Sequence, residues 1–189
     1  MFKRTLFLFL VALLLCSVTA DSFVGYPRTK DEEKIEAVLI GGIVQQIGPG
    51  NYEGLADWLK QHIEFDKNVP SETYWKYPLE TYMDGKGVCK DYALIAMECL
   101  KAMGVKDVFI LGVLNYQRTK GHAVTIFRKS KTGRWYFYSN DQLIAGPRDF
   151  KNLVACVSYE SGYGIYPTYT LINKDMQLIY QNEEKDWGL

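Results

Sequence analysis

The apolar pattern changes period part-way along the chain. In the first half apolar residues recur at helical spacing; in the second they gather in short β-branched and aromatic runs. After an irregular stretch from 22 to 30, Asp31, Glu32 and Glu33 open a predicted helix, with Ile35, Val38, Leu39 and Ile43 as its apolar positions. Gly41 and Gly42 weaken its middle, and Gly48, Pro49 and Gly50 end it. Asn51 then caps a second helix that aligns Leu55, Trp58, Leu59 and Ile63 on one face. Residues 64–84 form a long aromatic-rich connection, within which Pro78, Leu79, Glu80 and Thr81 read as a short helix.

A third helical run follows Gly85, Lys86 and Gly87. It carries Ala93, Leu94, Ala96, Met97, Cys99 and Leu100, and Gly104 stops it. Beyond it the β patterns begin. Val105–Leu114 reads as a buried strand, and 121–127 with 134–140 as an antiparallel hairpin across Lys131, Thr132 and Gly133. Residues 168–172 and 176–180 form a last hairpin, before a polar tail from Gln181 to Leu189. Helices first and an antiparallel sheet afterwards predict an α+β fold in one domain.

Composition trims this picture at the N-terminus. Lys3 and Arg4 precede an apolar run from Leu6 to Leu15, and Val18, Thr19 and Ala20 supply small residues before Asp21. Residues 1–20 therefore read as a secretory signal peptide, leaving 21–189 as the mature domain with a core at about 50–175. The apolar run is short for a membrane span, though an uncleaved N-terminal anchor is the alternative, and Leu15 before Cys16 argues against lipidation. The expected location is the periplasm or outside the cell, with no membrane association after cleavage. The formal net charge is 0, and removing Lys3 and Arg4 leaves 20 basic against 22 acidic residues. Nothing in that balance points to a polyanionic partner, and no nucleic acid is expected.

The mature chain keeps Cys89, Cys99 and Cys156. Cys89 and Cys99 are ten residues apart on one helix, about 15 Å at 1.5 Å per residue, and cannot bridge. Either Cys99 pairs with Cys156, or both are buried and reduced. Cys89 differs from them by its position in the first helical turn. There the backbone N–H groups and the helix dipole favour a thiolate, and neighbouring Lys90 would lower the thiol pKa modestly. His122 opens a strand, and Asp141 and Asn140 end the next one. A cysteine, a histidine and an acid or amide in that order suit acyl transfer through a thioester. The plainer alternative is a small apolar residue that happens to start a helix. His62 has no second ligand at metal spacing and reads as a surface histidine.

These residues carry a resemblance. Trp75, then Pro78–Thr81 (Pro-Leu-Glu-Thr), then Gly87–Ala93 (Gly-Val-Cys-Lys-Asp-Tyr-Ala), then Gly121–Val124 (Gly-His-Ala-Val), then Asp141 is a pattern similar to that of the transglutaminase-like superfamily. It most resembles the bacterial transglutaminase-like cysteine proteinases. The resemblance implies a papain-like arrangement, with Cys89 at a helix N-terminus facing His122 on the sheet. It also implies a cysteine proteinase or amidohydrolase that works on a protein or peptide substrate without a cofactor. A protein acyltransferase and a non-catalytic binding module are the alternatives, and a regulatory partner could control access to Cys89. The oxyanion would be held by the Cys89 N–H and by Trp75, Tyr74 or Tyr77.

The resemblance places the acid about four residues after the strand tryptophan, where Ser139 stands; Asp141 is expected to serve from two residues on, with Asn140 next. Residues beside the family's cysteine are often acidic and the family is associated with calcium. Val88 and Lys90 stand there instead, so no metal is expected at this spot.

Overall fold

The structure is a computed structural model that describes residues 28–68, 74–115, 117, 119–129, 133–164 and 168–181. The expected signal peptide, Lys131 and Thr132 of the hairpin turn, and most of the polar tail lie outside the described residues.

The helical half runs α1 (Lys30–Ile47), α2 (Tyr52–His62), the two-residue strand β1 (Glu64–Phe65), α3 (Pro78–Asp84), β2 (Lys86–Gly87) and α4 (Cys89–Ala102). The sheet half follows as β3 (Val108–Leu114), β4 (Gly121–Arg128), β5 (Trp135–Ser139), β6 (Gln142–Ala145), α5 (Phe150–Glu160), β7 (Thr168–Asn173) and β8 (Leu178–Gln181). The last six strands make one antiparallel sheet in the order β6-β5-β4-β3-β7-β8. This is the α+β arrangement that the order of patterns predicts.

Strand alternation divides the core in two. Val108, Ile110, Ala123, Phe127 and Tyr138 point to the layer built by α1, α2 and α4. Their chain neighbours Leu111, Val124, Ile126 and Phe137 point to the other face, where Leu153, Val154 and Val157 of α5 cover them. The central element is α4. Ala93, Ile95, Ala96, Met97 and Leu100 are all within 1% of full burial, so almost no face of it meets water. Each large side chain there contributes about 1.5–3 kcal/mol by leaving water.

Three features differ from the pattern reading. The inward face of α1 is Glu36, Ile40, Ile43 and Val44, while Ile35 and Val38 are 55% and 75% exposed. A buried glutamate hides this face from a hydrophobic pattern. Glu36 is accommodated by an ion pair with Arg28 and a hydrogen bond from the Leu79 N–H at 3.2 Å. The pattern reading assigns neither β6 nor α5. β6 is an edge strand of four residues, and α5 begins behind an Asp149 cap whose side chain accepts from the Asn152 N–H at 3.0 Å. Among the described residues no helix is long and apolar enough to cross a membrane.

Candidate active site

The turn into α4 explains the spacing of its glycine, cysteine and aspartate. β1 and β2 pair in parallel, with the Glu64 N–H donating to the Gly85 carbonyl and the Asp66 N–H to that of Gly87. Gly87 has no room for a side chain. A Cβ there would lie 3.0 Å from the Asp91 Cβ and 3.2 Å from the Thr81 Cγ2. The close approach lets Asp91 fold back over the helix start. Its carboxylate accepts the Val88 N–H at 2.9 Å and the Lys76 N–H, also at 2.9 Å. Asp91 is only 2% exposed; burial raises its pKa, and the two N–H groups oppose the rise. It is a helix-start acid that ties the 74–77 stretch to α4. Cys89 is thereby placed as the first residue of α4.

Two backbone N–H groups point at the Cys89 sulfur. One is from Ala123, the chain neighbour of His122 on β4, and the other from Lys90. A further bond, from the Thr125 hydroxyl to the Ala93 carbonyl at 2.5 Å, fixes β4 along α4. Burial is nonetheless the largest influence on the thiol and pushes its pKa up. The two N–H groups pull it back, Asp91 adds to the rise, and the Lys90 charge is the smallest of the pulls downward. Lys90 is itself buried, and burial lowers its own pKa. The expected tuning by Lys90 is therefore present in sign and outweighed in size. Burial likewise pushes the His122 imidazole down to about 4.

The His122 ring meets Ser139. Its Nε2 lies 2.9 Å from the Ser139 hydroxyl. Alternation explains the meeting. Thr125 stands opposite Tyr138, so one step on puts Ser139 opposite Val124, on the same sheet face as His122. Ser139 occupies the position, four residues after Trp135, where the resemblance calls for an acid. Asn140 and Asp141 form the two-residue turn between β5 and β6, with Ser139 paired to Gln142 and Asn140 at φ +54°. The turn breaks the strand before Asp141, so the two-residue alternation argument no longer applies to it. Asp141 comes close enough to the Tyr92 phenol on α4 for its charge to help raise that group, after burial, to about 12. The Asn140 Oδ1 is buried with no hydrogen-bond partner in the structure.

Residues 51–137 match the family model of a transglutaminase-like domain, a stretch that contains both Cys89 and His122. Over that stretch the chain is similar to transglutaminase-like domains. Within a curated relative, a UPF0252 protein of Pyrococcus horikoshii, 77 residues are 29% identical, spanning 39% of this chain and 25% of that protein. The chain thus spans about a quarter of the relative's length. Among solved structures, LapG of Legionella pneumophila is 19% identical, with 82% of this chain and 80% of that one covered at a TM-score of 0.49. Calcium-bound LapG is 20% identical over 87% and 86%, at 0.48. A TGase crystal structure is 12% identical over 71% and 37%, at 0.49. Likenesses this loose carry no argument about activity.

Around Cys89 and His122 the aromatic candidates separate. Tyr77 is engaged elsewhere: its ring lies under the Arg28 guanidinium at 4.1 Å, ahead of α1, and its N–H donates to Glu80 of α3 at 2.8 Å. Trp75 is half-buried against the helical core and Tyr74 is exposed; both adjoin Lys76, whose N–H is bound to Asp91. Tyr163 was not expected. It follows α5, the helix that the sequence reading passed over, and its phenol pKa is raised first by burial and then by the Cys89 sulfur. The signal was there in Ser161-Gly162-Tyr163, a helix stop with an aromatic behind it. His62 stacks on Trp58 at 4.4 Å, and its Nδ1 lies 2.8 Å from the Trp58 carbonyl. Among the described residues no three His, Cys, Asp or Glu side chains gather where they could hold a metal ion.

Proposed function

We propose that this transglutaminase-like domain is a cysteine-dependent hydrolase, a proteinase or amidohydrolase, acting on a protein or peptide through a thioester on Cys89. The observation that supports the reading is the Ala123 N–H on the Cys89 sulfur, since Ala123 is the chain neighbour of His122 on β4.

Burial favours the uncharged pair, so the proton leaves the sulfur only as it attacks. The Cys89 sulfur bonds to the carbonyl carbon and its proton passes to His122. His122 then protonates the departing amine as the C–N bond breaks. Water, deprotonated by His122, attacks the thioester carbon, and the proton returns to sulfur as the C–S bond breaks. Ser139 orients the imidazole at Nε2, leaving Nδ1 for the sulfur. The Cys89 N–H, unpaired in principle at a helix start, and the Trp75 indole are the proposed oxyanion donors. Residues 1–20 would export the chain to the periplasm or beyond; a mature N-terminus at Asp21, read by mass spectrometry, tests this.

The catalytic test is acetylation by p-nitrophenyl acetate. The expected outcome is an acetyl group on Cys89, absent in Cys89→Ser and slowed at least about a hundredfold in His122→Ala, the usual scale of general-base help. Acetylation that ignores His122, or that falls on Cys99 or Cys156, removes the reading. A non-catalytic binding module is the second reading, favoured by the hydroxyl of Ser139 where a carboxylate would hold an imidazolium. If Cys89 acetylates, incorporation of an added amine separates an acyltransferase from a hydrolase.

A further inference from the structure

We propose that the cavity between the β3–β4 connection and the end of α5 is a substrate subsite that receives a carboxylate of the peptide attacked by Cys89. The proposal rests on the catalytic reading above and adds a substrate class to it. The cavity is an open cleft of about 420 Å³, a volume within the range of small-ligand sites. Asn115, Gln117, Thr119 and Lys120 line one side, and Ser161, Gly162 and Tyr163 the other.

Its place in the fold joins it to both reacting groups. Lys120 lies two residues before His122, at the mouth of β4. Tyr163 lies within electrostatic reach of the Cys89 sulfur from the opposite wall. The described residues on both sides are held by hydrogen bonds. Asn115 closes its connection by accepting the Thr119 N–H at 2.8 Å and the Lys120 N–H at 3.0 Å, while its amide donates to the Thr119 hydroxyl at 3.0 Å. Gly162, at φ +73°, turns the chain out of α5. The Tyr163 N–H then donates to the Ser158 carbonyl and that of Gly162 to Tyr159, both at 2.9 Å. Tyr163 is thus set by backbone bonds.

The lining chemistry selects the ligand. Among the described residues the cavity has one charged side chain, Lys120, and no carboxylate. The Thr119 hydroxyl already accepts from Asn115, so its hydrogen is left to donate. The Tyr163 phenol is kept protonated and is also a donor. A cation with two hydroxyl donors matches a carboxylate, which has only acceptors to offer. A basic side chain would meet Lys120, and an apolar one would strip water from three polar groups without replacing it.

A carboxylate can come from an acidic side chain or from a peptide C-terminus, and one competition experiment separates them. Acetylation of Cys89 by p-nitrophenyl acetate is followed against three tripeptides. Two are blocked at both ends, with glutamate or glutamine at the centre; the third carries glutamine and a free C-terminus. The expected result is protection by the glutamate peptide at a concentration about tenfold lower than by the blocked glutamine peptide, the scale of one charge-assisted hydrogen bond. That ratio should fall to near one in Lys120→Gln and persist in Lys120→Arg. Protection chiefly by the free C-terminus would support the carboxylate subsite and assign it to chain ends. Equal protection by all three peptides overturns the subsite while leaving the catalytic reading intact. Failure of Cys89 to acetylate at all overturns the catalytic reading and the subsite with it.

Discussion

At Cys89 and His122, burial works against charge on both partners, raising the thiol and lowering the imidazole to about 4. The pH behaviour follows. Neutral His122 remains available as a base down to about pH 4, so acetylation should hold through pH 5 and fail only below that value. Alkylation by iodoacetamide needs the thiolate, and its rate should climb into the alkaline range instead of reaching a plateau near neutrality. Stability carries the same signature. Unfolded histidine takes a proton near pH 6.5, and folded His122 resists until about 4. The unfolded state therefore binds more protons between these values, and acidification from 6.5 to 4 should cost about 3 kcal/mol. Urea titrations at several pH values in wild type and His122→Asn measure it; an unchanged slope in the variant would assign the loss elsewhere. Placing a carboxylate against the ring by Ser139→Asp should raise the imidazole pKa and move the acid limb of acetylation upward.

The start of α4 and the inward face of α1 are properties of whole elements. Gly87→Ala would press a methyl group to 3.0 Å from Asp91 and 3.2 Å from Thr81, both buried. Overpacking of this kind costs about 1–3 kcal/mol. For a domain of this size that lowers the melting temperature by roughly 2–4 °C per kcal/mol. Asp91→Ala should destabilise by a similar or larger amount, since it strands the Val88 and Lys76 N–H groups. For α1, Ile40→Ala should cost about 2–5 kcal/mol, whereas Ile35→Ala should stay within about 0.5 kcal/mol. Comparable losses at Ile35 and Ile40 in chemical denaturation would contradict the observed face. The helix is legible from its acidic first turn, but its orientation is not. Arg28 and the Leu79 N–H, both from outside α1, decide that Glu36 turns inward.

At the scale of the molecule, two layers of helix enclose one antiparallel sheet, and the candidate site sits where the start of α4 meets the mouth of β4. Two acids near it already have partners: Asp91 caps α4 and Asp84 pairs with Lys76 at 2.7 Å. Val88 and Lys90 flank Cys89 where calcium would need oxygen ligands, so Cys89 acetylation should respond neither to calcium nor to a chelator. A calcium-dependent change in acetylation would show a site that these side chains do not form. Cys99 is fully buried and its thiol is pushed up to about 12. Cys89, Cys99 and Cys156 are all free, so thiol titration of the folded protein should find Cys99 silent.

Local and repeated signals were legible without coordinates. The Asn51 cap, the face Leu55–Trp58–Leu59, the helix from Cys89 to its stop at Gly104, and the strands around His122 follow from backbone chemistry within a few residues. Cys89 and His122 were legible for the same reason, each lying at the boundary of a strongly patterned element. Two kinds of feature were not. α5 and β6 hold few residues and bury only part of one side, so their periodicity is faint. The partner of His122 depends on the register of β4 against β5, and a two-residue turn there decides between Ser139, Asn140 and Asp141. The raised thiol depends on how much chain covers Cys89, and Tyr163 arrives beside it from a helix sixty residues on. Desolvation and cross-strand register are sums over contacts distant in sequence, and only the folded chain performs them.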